Sequence, residues 1–144
     1  MKKRVLNLAI MLLVSTGVVL MSGCACKRAS LVDSGAVSLE RVPSKYARVS
    51  VATVYQEEDQ LVVSGAVKRD YFFRSHLRGH VDVETVDLNG EVLEQVCASY
   101  LPREIPRMGS RSSMFKVRMP VHPDKGSRVR LTHRNTRYCV EQDH

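Results

Sequence analysis

The chain has 144 residues, which is enough for one domain with one hydrophobic core. Its 44% hydrophobic and 26% charged residues exclude an intrinsically disordered chain. The net charge of +7 falls to +4 when the three basic residues at positions 2–4 are set aside, a mild excess that permits contact with anionic lipids or cell-wall polymers without requiring it.

Residues 1–23 have the three zones of a secretory signal peptide. Basic residues occupy positions 2–4, an apolar run follows over Val5–Met21, and the small residues Ser22 and Gly23 end the segment. A single membrane-spanning helix is the alternative interpretation. Spanning needs about 20 apolar residues, so this run is barely long enough, and Gly17 weakens it further. We therefore expect export and removal of residues 1–23.

The end of this leader, Met21-Ser22-Gly23-Cys24, resembles the lipobox of bacterial lipoproteins. The resemblance implies that a lipid is attached to the thiol of Cys24 and that the chain is cut just before it. Two or more acyl chains anchor a protein stably. Ala25, rather than the Asp that retains many such proteins at the inner membrane, favours the outer membrane, facing the periplasm. An exported protein rarely meets nucleic acid, so we do not expect that partner.

Two segments follow the leader. Residues 24–45 are polar and mixed, and we interpret them as a lipid-anchored tether with a short strand near Ala36–Leu39. Residues 46–144 form the predicted domain, in which apolar and polar residues alternate with the period of two that is typical of β-strands. Strands are expected from Tyr46 to the charged turn at 57–59, and at Leu61–Val67, His80–Leu88, Glu91–Ser99, Ser113–Val121 and Ser127–His133, with a further tail strand at 138–140.

The alternation also predicts which side chains share a face. Val49, Val51 and Thr53 are expected to point the same way. Asn89-Gly90 lies between two apolar alternating runs and predicts a type I′ hairpin turn, in which both residues have positive φ. Short strands separated by turn residues indicate an all-β fold, an antiparallel sandwich of six to seven strands.

Three segments resemble bacterial immunoglobulin-like or fibronectin-III-like domains of the FxLYD kind. They are Val63–Val67, Asp87–Leu93 and Met114–Val117, in which turn and core residues carry the likeness. The resemblance implies a sandwich that serves as a spacer or binding module, and it brings no enzymatic activity with it.

The cysteines other than Cys24 are Cys26, Cys97 and Cys139. In an oxidising compartment a disulfide can form between two of them, and we favour Cys97–Cys139, which would fix the C-terminal tail. Closing a loop of about 40 residues stabilises a fold by roughly 4 kcal/mol in the chain-entropy treatment. The alternative is that both thiols are unpaired. A Cys-x-x-Cys motif is absent from the sequence, so a redox enzyme is not expected.

His80, Asp82 and Glu84 are predicted to lie on one strand face, where nitrogen and carboxylate ligands could hold a metal ion with help from another strand. The alternative is an ordinary solvated polar face. No serine occupies a nucleophile elbow, and no glycine-rich phosphate loop is present. We therefore expect neither an enzyme nor a cofactor.

Two cationic features indicate binding surfaces. Lys116, Arg118, Arg128 and Arg130 are expected to project from one face of a final hairpin, where they could bind phosphates; the alternative is cross-strand pairing with acidic residues. The second feature is an aromatic loop that basic residues flank. Its partner-binding residues are predicted to be Tyr71, Phe72, Phe73 and Arg74, although one or two of the aromatic rings could instead cap the sandwich.

The sequence thus predicts a non-enzymatic, membrane-anchored envelope lipoprotein that acts as a structural or protein-interaction module. Its expected partner is another envelope protein, or an anionic cell-wall or lipopolysaccharide component. The alternative function is a periplasmic lipoprotein that binds a small ligand or a metal.

Overall fold

A computed structural model describes residues 29–73, 75–108 and 111–136. Runs rich in valine that alternate with polar residues form extended strands here, as their period of two predicts. The strands are β1 Ser38–Val42, β2 Ala47–Glu57, β3 Gln60–Arg69, β4 Leu77–Val86, β5 Val92–Ile105, β6 Ser112–Met119 and β7 Arg128–Arg134. The described residues contain no helix, and therefore none with the length and apolarity needed to cross a membrane. The predicted all-β class is confirmed.

The seven strands form one sheet in the order β1-β7-β4-β5-β6-β3-β2. Every neighbouring pair is antiparallel except β1 and β7, which are parallel. The sheet curls until β2 contacts both β1 and β7, so that it nearly closes into a barrel. The expected two-layered antiparallel sandwich is therefore not clearly formed, because β5 belongs to both halves and joins them into one mixed sheet.

The interior of the curled sheet is apolar. The predicted inward positions Val81, Val83, Val129, Leu131 and Phe115 are all buried there. Burying aliphatic and aromatic side chains of this size is the dominant stabilising contribution to such a fold.

The N-terminal edge of the sheet begins earlier than the sequence predicts. Leu31 donates its backbone N–H to the carbonyl of Val54, 2.8 Å away, and Leu31 and Val32 pack against the core. Strand β1 then pairs with β7 over its whole length. Much of the segment interpreted as a tether is therefore packed against the sheet.

A β-bulge in β2 overturns one predicted face. The register with β3 shifts between Val49 and Val51, so one extra residue reverses the alternation beyond that point. Val49 is buried, whereas Val51 is 61% exposed and Val54 faces the core. The prediction that Val49, Val51 and Thr53 share a face is wrong for this reason.

The turn at Asn89-Gly90 is present, but its predicted type is wrong. Gly90 has a φ of 90°, whereas Asn89 is not among the residues with positive φ, and a type I′ turn requires both. The carboxylate of Asp87 closes the turn instead, since it accepts hydrogen bonds from the backbone N–H groups of Asn89 and Glu91, each 2.8 Å away. The bond from Glu91 is the largest cause of the lowered pKa of Asp87.

Strand β5 is longer than predicted, because it continues through Pro102 to Ile105. Proline has no N–H to donate to a neighbouring strand. Here it lies where the pairing of β4 with β5 is interrupted, between the pairs Arg78–Glu104 and His80–Ser99. This interruption lets a strand accommodate a residue that normally ends one.

Candidate functional site

The loop that follows β3 is built around Asp70. The Asp70 backbone N–H donates to the carbonyl of Tyr46 at 2.9 Å, which fixes the start of the loop against the residue that directly precedes β2. The Asp70 carboxylate accepts the N–H of Phe72 at 3.1 Å, and the Asp70 carbonyl accepts the N–H of Phe73 at 3.3 Å. Asp is favoured in such turns because its short side chain can replace a backbone acceptor.

This turn separates the three aromatic side chains. Phe73 turns back and packs edge-on against Tyr46, with ring centroids 4.9 Å apart. Tyr71 and Phe72 are 74% and 87% exposed. Phe73 therefore caps the core, whereas Tyr71 and Phe72 project outward. This agrees with the alternative prediction that one or two of the three rings cap the core. Arg74 lies outside the described residues.

Arg69 connects this loop to the link between β5 and β6. Its side chain is 5% exposed, and its guanidinium donates to the carbonyls of Ser75 and Arg107, at 3.2 and 2.5 Å. Its backbone N–H donates to the carbonyl of Arg111 at 2.9 Å. The buried Nε of Arg69 has no hydrogen-bond partner among the described residues. One residue therefore holds both segments at this end of the sheet.

Two adjoining pockets of about 290 and 320 Å³ open around Arg69. The first is lined by the three aromatic residues of the loop together with Arg69, Arg107 and Arg111. The second is lined by Arg48, Lys68, Arg69, Asp70, Tyr71, Phe72 and Arg111. Among the described residues that line the two pockets, five carry a positive charge and one, Asp70, carries a carboxylate. We refer to this arrangement as the arginine–aromatic site.

The cations of this site are not neutralised within the part of the chain that the structure describes. The ion pairs formed there do not include Arg48, Lys68, Arg107 or Arg111. The guanidinium of Arg111 lies over the ring of Tyr71, with its Cζ 4.9 Å from the centroid, a distance typical of a cation–π contact. The site can therefore offer several hydrogen-bond donors and net positive charge to an anion.

Sequence reasoning missed four of these cations, namely Arg48, Lys68, Arg107 and Arg111. They come from three separate segments, and only the pairing of Arg48 with Lys68 and of Lys68 with Ser112 brings them together. A local pattern in the sequence could not have revealed this grouping.

The predicted cationic row on a final hairpin does not form. Strands β6 and β7 are not neighbours, because β6 lies between β5 and β3 whereas β7 lies between β1 and β4. Lys116 lies 5.9 Å from the centroid of the Tyr55 ring, and Arg118 is 3.5 Å from a carboxylate oxygen of Glu57. These two cations are thus separated from Arg128 and Arg130.

The other two predicted cations form cross-strand ion pairs, which was the alternative interpretation. Arg128 contacts Glu40 at 3.1 Å, and Arg130 contacts both Glu40 and Glu84 at 3.2 Å. The pKa of Glu40 is lowered mainly by the hydrogen bond from Arg128 and to a smaller extent by the one from Arg130. The pKa of Arg130 is raised mainly by its hydrogen bond to Glu40. This part of the sheet surface is therefore internally neutralised.

The three weak metal-ligand candidates do not share one environment. His80 Nε2 lies 3.2 Å from Asp82 Oδ1, and both side chains are largely buried instead of being fully solvated. Glu84 is paired with Arg130, and Arg134 donates to Asp82 at 2.9 Å.

Cys97 lies beside this pair, since it is the β5 partner of Asp82. Its Sγ and the ligand atoms of His80 and Asp82 lie within 4.8 Å of one another. Cys97 is disulfide-bonded, so its sulfur is not available as a thiolate ligand in this state. The partner cysteine lies outside the described residues, and the pairing with Cys139 stays a prediction.

His133, which the sequence did not single out, lies on the core-facing side of the sheet, opposite to His80 and Asp82. His133 is 3% exposed, and its ring stacks on Tyr100 with centroids 6.2 Å apart. The Ser44 hydroxyl donates to the Ala47 carbonyl at 2.7 Å, so the Nδ1–H of His133 donates to Ser44 Oγ at 3.1 Å. Burial, and then the charge of His80, lowers the pKa of His133 to about 4, which makes it a neutral core residue.

Comparison of the chain with protein-family models, with curated proteins and with solved structures found no match.

Proposed function

We propose that this chain is a non-enzymatic lipoprotein of the bacterial envelope whose β-domain binds an anionic envelope component at the arginine–aromatic site. The observation that carries the proposal is the convergence of five cations and three aromatic rings around two pockets with a single carboxylate. Cations gathered this closely repel one another, so an arriving anion relieves repulsion as well as forming new contacts.

The chemistry of the site favours phosphate or carboxylate groups. Guanidinium groups bind both with paired, charge-assisted hydrogen bonds. Arg69 organises the site, because its buried guanidinium holds two segments together through the carbonyls of Ser75 and Arg107. The backbone segments that carry Arg107 and Arg111 are thereby fixed to the end of β3, which lowers the entropic cost of binding an anion between them.

The address of the protein is part of the same proposal. The lipobox-like segment places a lipid on Cys24 and directs the chain to the periplasmic side of the outer membrane. The disulfide of Cys97 fits an oxidising compartment.

Calorimetric titration of the full chain with soluble inorganic polyphosphate tests the binding role. We expect saturable, salt-sensitive binding that Arg111→Ala weakens. The matched control is Arg128→Ala, which removes an exposed arginine that is already paired with Glu40. Equal binding by both variants, or no heat with the unsubstituted protein, would refute the proposed site.

The lipid anchor needs its own test. Mass spectrometry of the protein isolated from cells should show a chain that begins at an acylated Cys24, and Cys24→Ser should abolish the acylation. An unmodified full-length chain in the cytosol would refute the proposed address.

A metal-binding role is the second candidate, and the proximity of His80, Asp82 and Cys97 favours it. Under oxidising conditions only the histidine and the carboxylate can act as ligands. Calorimetric titration with Zn²⁺, before and after reduction of the protein with a dithiol, tests this role. The absence of heat in both states would exclude it.

A further inference from the structure

The outer surface of β2, β3, β6 and β5 carries an apolar row that the strand register defines. Leu101 is paired with Met114, Met114 with Ala66, and Ala66 with Val51. Cross-strand partners project from the same face, so these four side chains lie side by side across four strands, over about 14 Å. Leu101, Met114 and Val51 are 70%, 61% and 61% exposed. We call them the apolar row.

The apolar row continues into the arginine–aromatic site. One step of two residues along β3 and β6 leads from Ala66 and Met114 to the pair Lys68–Ser112, and Lys68 is in turn paired with Arg48. Beyond these cations lie the exposed rings of the loop after β3. The described residues include nine exposed large hydrophobic side chains, and six of them belong to this face or to the loops that border it: Val51, Tyr71, Phe72, Leu101, Met108 and Met114.

The rest of the outer surface differs in charge. On β1, β7 and β4 the cations Arg128, Arg130 and Arg134 are each paired with a carboxylate. Among the described residues, the β2–β3–β6–β5 face combines cations that form no ion pair, Arg48 and Lys68, with contiguous exposed apolar side chains. Such a combination is typical of surfaces that lie on an anionic bilayer, where aromatic and aliphatic side chains enter the headgroup region and cations contact phosphates.

We propose that this face docks on an anionic lipid bilayer, so that the anion recognised by the arginine–aromatic site is a lipid headgroup phosphate. This inference rests on the proposed function and names its partner. A soluble anion would satisfy Arg111 and its neighbours but would leave the apolar row in water. A bilayer surface can contact the cations of the site and cover the apolar row at the same time. The exposed apolar row therefore favours a membrane over a soluble anion as the partner.

The expected lipid anchor is compatible with this orientation. Seven peptide steps separate Cys24 from Leu31, and a chain of that length spans at most about 25 Å. Leu31 is bonded to Val54, three residues along β2 from Val51 of the apolar row. A bilayer that holds the lipid at Cys24 is thus within reach of this face.

The chain contains no tryptophan, so a single introduced indole reports its own surroundings. The test uses the expected mature chain from residue 24 onward, with Cys24→Ser so that neither acyl chains nor the apolar leader can insert into a vesicle. It also carries Phe72→Trp, which places the indole in the loop of the arginine–aromatic site. Leu88→Trp is the matched control, because Leu88 is 73% exposed in the turn at the opposite end of the strands. Both proteins are mixed with vesicles of phosphatidylcholine containing phosphatidylglycerol.

The expected result is a blue shift of the indole emission in the Phe72→Trp protein and its quenching by lipids brominated close to the headgroup, with no change in the Leu88→Trp protein. Neutralising Lys68 with Gln should weaken vesicle partitioning about fivefold, the effect expected for one cation at an anionic membrane. Met114→Ser should weaken partitioning while leaving polyphosphate binding unchanged.

An unchanged emission of the Phe72→Trp protein, or an equal shift in both indole variants, would overturn the docking proposal. Equal partitioning into vesicles of phosphatidylcholine alone would also overturn it. If vesicles have no effect on the Phe72→Trp emission while polyphosphate still binds in an Arg111-dependent way, the bilayer inference fails and the proposed function stands. If polyphosphate also fails to bind, both fail.

Discussion

His133 should make the stability of the fold depend on pH in a defined window. Its pKa in the folded protein is lowered to about 4 by burial, whereas an unfolded chain gives histidine a pKa of about 6.5. The unfolded state therefore binds a proton that the native state excludes. The stability that His133 contributes is fully present above about pH 6.5 and is lost as the pH falls toward 4.

The size of this effect follows from the two pKa values. Linkage gives a loss of roughly 2 kcal/mol in the free energy of unfolding between about pH 7 and about pH 5. The loss reaches about 3 kcal/mol once the pH falls below both values. Because the free energy of unfolding of a small protein is about 5–15 kcal/mol, a loss of this size is readily measurable.

Urea unfolding followed by circular dichroism at several pH values measures the effect. His133→Asn keeps an N–H that can reach Ser44 but cannot titrate, so its unfolding free energy should change with pH less steeply than that of the unsubstituted protein. Val129→Ala is the control, because it creates a cavity on the same strand, lowers stability at every pH and keeps the full slope. Parallel pH profiles for His133→Asn and the unsubstituted protein would refute the reasoning.

Three further outcomes are expected. Gly65→Ala should destabilise the fold by about 1–3 kcal/mol in urea melts, because the new Cβ would collide with the Val51 carbonyl oxygen and would lie 2.8 Å from the Phe115 ring; an unchanged midpoint would contradict this packing. Asp87→Ala should lower the melting temperature at neutral pH and have little effect in acid, because the lowered pKa of Asp87 means that its contribution is lost as the pH falls through that value; an equal effect at both pH values would argue against the carboxylate. Reduction should destabilise the fold by about 4 kcal/mol if Cys97 is paired with Cys139, and non-reducing peptide mapping that links Cys97 to a different cysteine would contradict that pairing.

Much of the fold could be predicted from the alternation of side chains. The inward positions of β4, β6 and β7 follow directly from a period of two, and Val81, Phe115 and Leu131 are buried as expected. The phase of β2 could not be predicted, since a bulge leaves no clear mark in a run of small and branched residues. The parallel pairing of β1 with β7 was equally hidden, because it joins segments that lie far apart in the chain.

The candidate site was predictable only in part. Adjacent aromatics at 71–73 drew attention to the loop, and the structure divides them between the core and the surface. The cationic row on β6 and β7 was placed wrongly because the two strands were assumed to be neighbours in space as they are in sequence. Arg111 was missed because the other residues of the site lie far from it in the sequence and close to it only in the folded chain.

The β-ladder that joins the two halves of the sheet is short among the described residues. Strand β6 is paired with β3 along eight residues but with β5 only at Tyr100–Phe115 and Leu101–Met114. Leu101 and Met114 form half of the apolar row. A partner that binds this row therefore also contacts the pairing between β5 and β6. A partner that covers Leu101 and Met114 together would hold the two halves of the sheet to each other at this short pairing.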